Sequence, residues 1–312
     1  MKVLVTGATG FVGRGVVDRL REAGFEVRIA SRAPQSPAGA DEAVALPGAD
    51  APQQAFQALM RDVTHVVHCA ALNNDRGAGE ADFRAVNATL TGRLAEAAAT
   101  RTAGRFIYLS SIRAVVGPGF SGTIDEATPP APQCAYGRSK REGEIEMLKA
   151  FAAAGRDSAT ALRLPPVYGE GMKGNLRGLM RLAASGLPLP VAALAAVRSL
   201  ISHDAVAGAV THLLIRPMPP RPTYVLGDAS PVAMSDIIAA FRRGYGRPPR
   251  LLSIPAWPFR LSATLLGRRA SWQALTATQV CDVSLLASEG WMPETETLGR
   301  LEVLARQVGQ AR

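Results

Sequence analysis

Apolar positions in the first half of the chain alternate between short continuous runs and helical spacing. The run Lys-Val-Leu-Val-Thr-Gly at 2–7 is apolar and β-branched, which predicts a strand buried on both faces. Over 12–24, Val16, Val17 and Leu20 fall on one helical face and Gly24 supplies the stop. The same reading predicts strands at 26–31, weakly at 43–46, at 65–71 and at 105–111, with helices over 51–62 and 80–101. Strands separated by helices of this length are joined by crossovers, so the expected class is α/β with a doubly wound parallel sheet. From about Leu162 the texture changes, with Pro and Gly clusters at 162–175, 188–190, 217–222 and 248–258. We expect residues 1–164 to form the sheet domain, helped by a strand and helix near 197–228. Residues 165–312 should form mainly a smaller, irregular lobe over the carboxyl ends of the strands, where open sheets of this kind bind ligands. The segment 34–40 reads as a loop. The apolar stretch 251–267 is broken by Pro255, Pro258 and Arg260, so it reads as a buried or lid helix, not as a membrane span.

Three glycines, Gly7, Gly10 and Gly13, stand three apart between the first strand and the first helix. One permits a tight turn, one lets backbone approach a pyrophosphate, and one lets the helix pack on the strand. The phosphates would then meet the positive end of the helix. With a strand before it and a helix after it, this turn predicts dinucleotide binding.

A second pattern is Tyr136-Gly137-Arg138-Ser139-Lys140, which places Tyr136 and Lys140 one helical turn apart on one face. Alone, the spacing fits an exposed aromatic–cation pair. The order of motifs decides otherwise. Thr6-Gly7-Ala8-Thr9-Gly10-Phe11-Val12-Gly13, then His-Cys-Ala-Ala at 68–71, Asn87 with its helix, Tyr-Leu-Ser-Ser at 108–111 and the Tyr136–Lys140 stretch together resemble the extended short-chain dehydrogenase/reductase superfamily. Within it the likeness, over roughly 1–215, is to the NAD(P)-dependent epimerase/dehydratase family, including UDP-sugar 4-epimerases and 4-keto reductases. Gly92 is displaced from the family's Asn-x-x-Gly-Thr pattern, and one extra residue precedes Gly117.

The resemblance implies a Rossmann fold and assigns roles to residues. Ser111, Tyr136 and Lys140 would be catalytic. Gly7, Thr9, Gly10, Phe11, Val12, Ser31, Arg32, Ala70, Ala71, Asn87, Tyr136, Lys140 and Pro166 would hold the cofactor. Ser111, Asn175 and Arg198 would meet the substrate, the last two at its phosphates. A free tyrosine, with a pKa of about 10, is a poor base at neutral pH, and a nearby ammonium favours its phenolate. Ser111, 25 residues before Tyr136, is preferred over Ser110, which alternation turns to the opposite face.

NAD specificity needs an acidic residue at the end of the second strand to accept from the ribose 2′-hydroxyl. Here that strand ends in Ser31 and Arg32, and the next carboxylate is Asp41. Arginine suits a 2′-phosphate, so NADP(H) is favoured and NAD(H) is the alternative. A net reductase draws on NADPH, whereas an epimerase retains NAD. The leading expectation is therefore an NADPH-dependent keto reductase on a nucleotide sugar or similar substrate. A UDP-sugar 4-epimerase and a non-catalytic dinucleotide-binding regulator are the alternatives.

The net charge of +9 comes from scattered arginines without interleaved aromatics, which fits an anionic small-molecule substrate and argues against nucleic acid. Three separated cysteines and four histidines match no metal spacing, so no metal is expected. Free thiols, and an opening without a secretory leader, lead us to expect a cytoplasmic protein. By analogy with the family, a homodimer through 87–101 and 139–154 is expected.

Overall fold

The structure is a computed structural model that describes residues 1–33, 41–73, 77–185, 187–189, 196–253, 272 and 276–310. The expected loop at 34–40 and most of the stretch at 251–267 lie outside the described residues. The chain runs β1 (Lys2–Thr6), α1 (Phe11–Glu22), β2 (Glu26–Ser31), β3 (Glu42–Ala45), α2 (Gln53–Leu59), β4 (His65–His68), α3 (Glu80–Arg84), α4 (Leu90–Arg101), β5 (Phe106–Ser111), β6 (Gly122–Ile124), α5 (Ala135–Ala153) and β7 (Ala159–Leu164). It continues through β8 (Val167–Tyr168), α6 (Gly174–Ala184), β9 (Val197–Arg198), β10 (Ile201–Ser202), α7 (His203–Ile215), β11 (Thr223–Val225), β12 (Val232–Ala233), α8 (Met234–Gly244), β13 (Gln279–Cys281), α9 (Ser284–Ser288) and α10 (Thr297–Gln310).

Seven parallel strands form the main sheet in the order β11-β7-β5-β4-β1-β2-β3. Strand alternation sorts the core into two faces. Val3, Val5 and Ile29 pack with Val16, Val17 and Leu20 of α1 and Val206, Val210 and Leu213 of α7. Leu4, Val66, Phe106 and Tyr108 face Phe56 of α2, Leu94 of α4, and Met147 and Phe151 of α5. The sheet is therefore covered on both sides, as the continuous apolar runs predicted. The chain fills β2 and β3 on one side of β1 and then crosses to β4 on the other, so the strand order reverses between β1 and β4.

Two differences from the sequence reading bear on the site. The strand expected over 65–71 ends at His68, because the backbone of Cys69 and Ala70 turns to pack on Gly7. The single helix expected over 80–101 is interrupted by a π-helical turn, Ala85–Thr89, between α3 and α4. There the Asn87 carbonyl accepts from the Tyr108 hydroxyl at 2.8 Å and the Thr91 hydroxyl at 2.9 Å. A tertiary partner thus decides the local winding.

Above the carboxyl ends, β12-β9-β13-β6 form a small mixed sheet and β8 pairs with β10. A separate apolar cluster gathers α6, α8 and α10 around Leu176, Met180, Ile237, Phe241 and Leu301. Between them α7 and β11 return to the main sheet, β11 pairing with β7.

Candidate active site

Gly7 adopts φ +68°, and a Cβ there would lie inside contact distance of the Cys69 and Ala70 backbone. A Cβ on Gly13 would fall on the Gly7 carbonyl. Gly10 is the N-cap of α1, which has no side-chain cap and no acidic residue in its first turn. Its first-turn amides are therefore left to an anionic ligand. Thr9 and Gly10 are exposed, and Phe11 and Val12 half-buried, at this end. Across the crevice the Ala70 amide donates to Thr6 Oγ1 at 3.3 Å and Ala71 is exposed. Gly7, Thr9, Gly10, Phe11, Val12, Ala70 and Ala71 thus border the point where the strand order reverses. A cradle that a single Cβ would fill, beside an uncapped helix end, fits the pyrophosphate of a dinucleotide.

At the end of β2, Ser31 Oγ donates to the Ala33 carbonyl at 2.6 Å and Arg32 is exposed. Asp41 is engaged elsewhere. Its carboxylate accepts from the Val27 amide at 2.8 Å and faces Arg21 at 3.5 Å. Val27 lies four residues before Ser31, roughly 13 Å back along the strand.

Helix α5 starts at Ala135, where Cys134 Sγ accepts from the Gly137 amide at 3.3 Å. Gly137 lets this first turn close onto the Arg113 carbonyl, which a Cβ would overlap. Tyr136 is half-buried, and its phenol shares a hydrogen bond with Ser111. Burial pushes the phenol up to about 12, with the Cys134 thiol acting the same way, against the Ser111 hydrogen bond and the Arg113 guanidinium. The expected lowering by Lys140 is not what sets this phenol: burial dominates, and the cation acting on it is Arg113.

Lys140 is turned inward. Its Nζ donates to the Leu109 carbonyl at 2.7 Å and lies 4.4 Å from the centre of the Tyr108 ring. Burial lowers the ammonium to about 7, against the pull of Cys69 and Glu144. Adjacent serines part as alternation predicted. Ser111 faces Tyr136, whereas Ser110 Oγ donates to Glu144 Oε1 at 2.6 Å. Glu144 is itself held by Arg163 (3.1 and 3.0 Å) and Arg141 (2.8 Å). Asn87 is buried and bridges Leu72, by both backbone groups, to Ser139 Oγ at 3.0 Å.

On the lobe side, Pro166 is exposed just past β7, its carbonyl accepting from the Ile201 amide at 3.2 Å. Asn175 is exposed on the first turn of α6. Arg198, half-buried on β9, stands opposite Gln279 of β13. Gln279 Oε1 accepts from Arg113 Nη2 at 2.7 Å, and Arg113 Nη1 donates to the Gly117 carbonyl at 2.8 Å. Arg113 and Arg198 are close enough for Arg198 to disfavour the charge on Arg113, below the larger effect of burial. A cleft of about 490 Å³ opens beside them, lined by Val115, Gly117, Phe120, Gln133 and Thr276 among others. Arg113, Cys134 and Gln279 were not among the sequence candidates. Arg113, two residues beyond Ser111, carried the one available signal.

A doubly wound sheet with an open glycine turn at its switch point, and a Ser–Tyr–Lys set beside it, defines an enzyme of the extended short-chain dehydrogenase/reductase type. The chain belongs to the NAD dependent epimerase/dehydratase family, whose profile matches residues 3–227. It is 29% identical over 304 residues to a UDP-glucose 4-epimerase of Vibrio cholerae, covering 93% of this chain and 90% of that one. It is 30% identical over 285 residues to a ceramide reductase of Caulobacter vibrioides, covering 88% and 80%. The structure resembles that of a UDP-N-acetylglucosamine 4-epimerase from Bacillus cereus with a TM-score of 0.76 at 21% identity, covering 100% and 99% of the two chains. Among the described residues no helix is long and apolar enough to cross a membrane, and no group of three His, Cys, Asp or Glu side chains could hold a metal.

Proposed function

We propose that this enzyme is an NADPH-dependent keto reductase acting on a nucleotide-linked sugar or a similar anionic carbonyl compound. The observation that carries the reading is the end of β2. Arg32 is exposed there, and Asp41, the next carboxylate along the chain, is tied to the Val27 amide. A guanidinium can take a 2′-phosphate, and the acidic acceptor for an unphosphorylated ribose is missing. The state of Tyr136 agrees. A phenol held at about 12 keeps its proton at neutral pH, the form needed to protonate a carbonyl oxygen on reduction.

Bound NADPH supplies the hydride. In this reading Tyr136 delivers the proton to the substrate oxygen and Ser111 hydrogen-bonds and orients the same oxygen. Lys140 holds the nicotinamide ribose, Asn87 fixes the helix that carries Lys140, and Arg198 and Asn175 receive the substrate phosphates. A homodimer through α4 and α5 belongs to the same proposal. A UDP-sugar 4-epimerase with retained NAD is the second reading, and the Vibrio cholerae relative favours it. Purified protein should be denatured, the released nucleotide identified, and the emptied protein titrated with NADPH and NADH. Preference for NADPH, lost by roughly 30-fold or more in Arg32→Ala, is the expected result, since a charge-assisted fork is worth about 2–3 kcal/mol. Tightly retained NAD would overturn the reductase reading in favour of epimerisation. Tyr136→Phe should lose turnover and keep cofactor affinity; unchanged biological output with no detectable turnover in the parent would instead indicate a binding protein.

A further inference from the structure

Tyr108 lies in the middle of β5, fully buried, with no role in the chemistry so far. Its strand register places His68 of β4 on one flank and Ala161 of β7 on the other. His68 stacks on the Tyr108 ring with centroids 5.4 Å apart and planes 16° apart. The small Ala161 leaves the second flank open. Lys140 Nζ comes to 4.4 Å from the centre of the same ring. The Tyr108 hydroxyl donates to the Asn87 carbonyl at 2.8 Å. Helix α5 reaches this depth because Gly143 has no side chain. A Cβ there would overlap the Asn87 carbonyl and crowd the Tyr108 hydroxyl.

The charges around Lys140 do not explain a buried ammonium. His68 has both ring nitrogens engaged, by Thr6 Oγ1 at 2.6 Å and Thr91 Oγ1 at 2.9 Å, and burial pushes it down to about 3, so it is neutral. Burial pushes the Cys69 thiol up to about 12, so it too is neutral. Glu144, one turn further along α5, already faces two guanidiniums, Arg141 of α5 and Arg163 of β7. Tyr136, one turn back, is protonated. No unmatched anion among the described residues faces Lys140. What remains beside the Leu109 carbonyl is the negative face of the Tyr108 ring.

We propose that Tyr108 is a positioning residue for the site: its ring face keeps Lys140 charged, and its hydroxyl fixes the Asn87 carbonyl, against which α5 packs at Gly143. The role rests on the reading that Lys140 acts as a cation in the site. Asn87 then ties the two effects together, since its amide also holds Ser139, the neighbour of Lys140.

The chain has four lysines, Lys2, Lys140, Lys149 and Lys173, so lysine labelled with ¹³C at Cε gives a spectrum that can be assigned. The Lys140 signal is identified by its loss in Lys140→Met. Its titration midpoint is then followed in the full chain bearing Tyr108→Phe, and in the same chain with a ring-fluorinated phenylalanine at 108. Fluorination keeps the shape and weakens the ring quadrupole. Tyr108→Phe should leave the midpoint in place, and fluorination should lower it by about one pH unit, the size of a desolvated cation–π contact. An unchanged midpoint on fluorination would overturn the role of the ring. The hydroxyl is tested in Tyr108→Phe by amide exchange over 85–91, which should quicken; unchanged protection would overturn its role. Both readouts are made without substrate, so they stand apart from the question of which carbonyl is reduced.

Discussion

Lys140→Met separates what the site needs from what the fold prefers. Lys140 is 2% exposed, and burial lowers its ammonium from 10.5 to about 7. Between those values the unfolded chain holds a proton that the folded chain has shed, so stability rises with pH across that window. Below about 7 both states are charged, and the folded state carries the full penalty. A drop of about 3.5 pH units at about 1.36 kcal/mol each is a penalty of about 5 kcal/mol. Methionine keeps the length and removes the charge. It also gives up the hydrogen bond to the Leu109 carbonyl and the contact with the Tyr108 ring, together about 2 kcal/mol. The net expectation at pH 6 is a gain of about 3 kcal/mol. For 312 residues at about 2.1 cal/mol/K each, that raises the midpoint of thermal unfolding by about 5 °C. Turnover should fall by orders of magnitude in the same protein. Calorimetry at pH 6 and pH 9.5 checks the sign, because the gain should shrink at the higher pH, where the wild-type lysine is already neutral when folded. A variant no more stable than wild type at pH 6 would refute the claim that Lys140 is a strained buried cation.

Two further outcomes follow from the same packing. Glu144→Gln leaves Arg163, 3% exposed, without its carboxylate partner and should cost about 3–5 kcal/mol in urea unfolding; a loss under about 1 kcal/mol would mean Arg163 finds another partner. Gly137→Ala puts a methyl on the Arg113 carbonyl and should cost about 2–3 kcal/mol along with turnover, whereas Gly178→Ala on α6, where a methyl meets open space, should be neutral or add about 0.5–1 kcal/mol. Equal effects at the two glycines would show that the close approach of α5 to Arg113 is dispensable.

Elements whose signal is local were legible. β1, β2, β4 and β5 are short runs rich in β-branched and apolar residues, and α1 carries its buried stripe at Val16, Val17 and Leu20 with Gly24 at φ +80° just beyond. The π turn was not legible, because its cause is a hydroxyl 21 residues away, on Tyr108. Nor were β6, β9, β12 and β13. Strands of two or three residues are too short for any periodicity, and Gly122 of β6 finds its partner at Gln279. The site divides in the same way. Alternation along β5 separated Ser111 from Ser110 correctly. The inward turn of Lys140 and the high pKa of Tyr136 depend on burial, which spacing does not encode. Arg113 and Gln279 meet across 166 residues, and neither has a pattern of its own.

Tyr136, Lys140 and Glu144 recur every fourth residue, so they form one stripe down α5 from the crevice to the sheet. Exposure falls along it: Tyr136 is half-buried, Lys140 2% exposed and Glu144 0%. At the deep end the charge is matched, since Arg141 and Arg163 enclose Glu144 and Ser110 adds a hydrogen bond. At the shallow end Tyr136 has the Ser111 hydrogen bond and the field of Arg113, with no carboxylate acting on its phenol. Lys140 stands between, with a carbonyl and a ring instead of a carboxylate to itself. A fully matched lysine would be spent on the fold, and an exposed one would be screened by water. The intermediate position leaves a cation that burial strengthens electrostatically and that no protein anion has neutralised. Weakening the ring quadrupole at position 108 by fluorination, or replacing Glu144, should therefore move the behaviour of Lys140 in the same direction, toward the neutral amine, although one acts through a quadrupole and the other through a full charge.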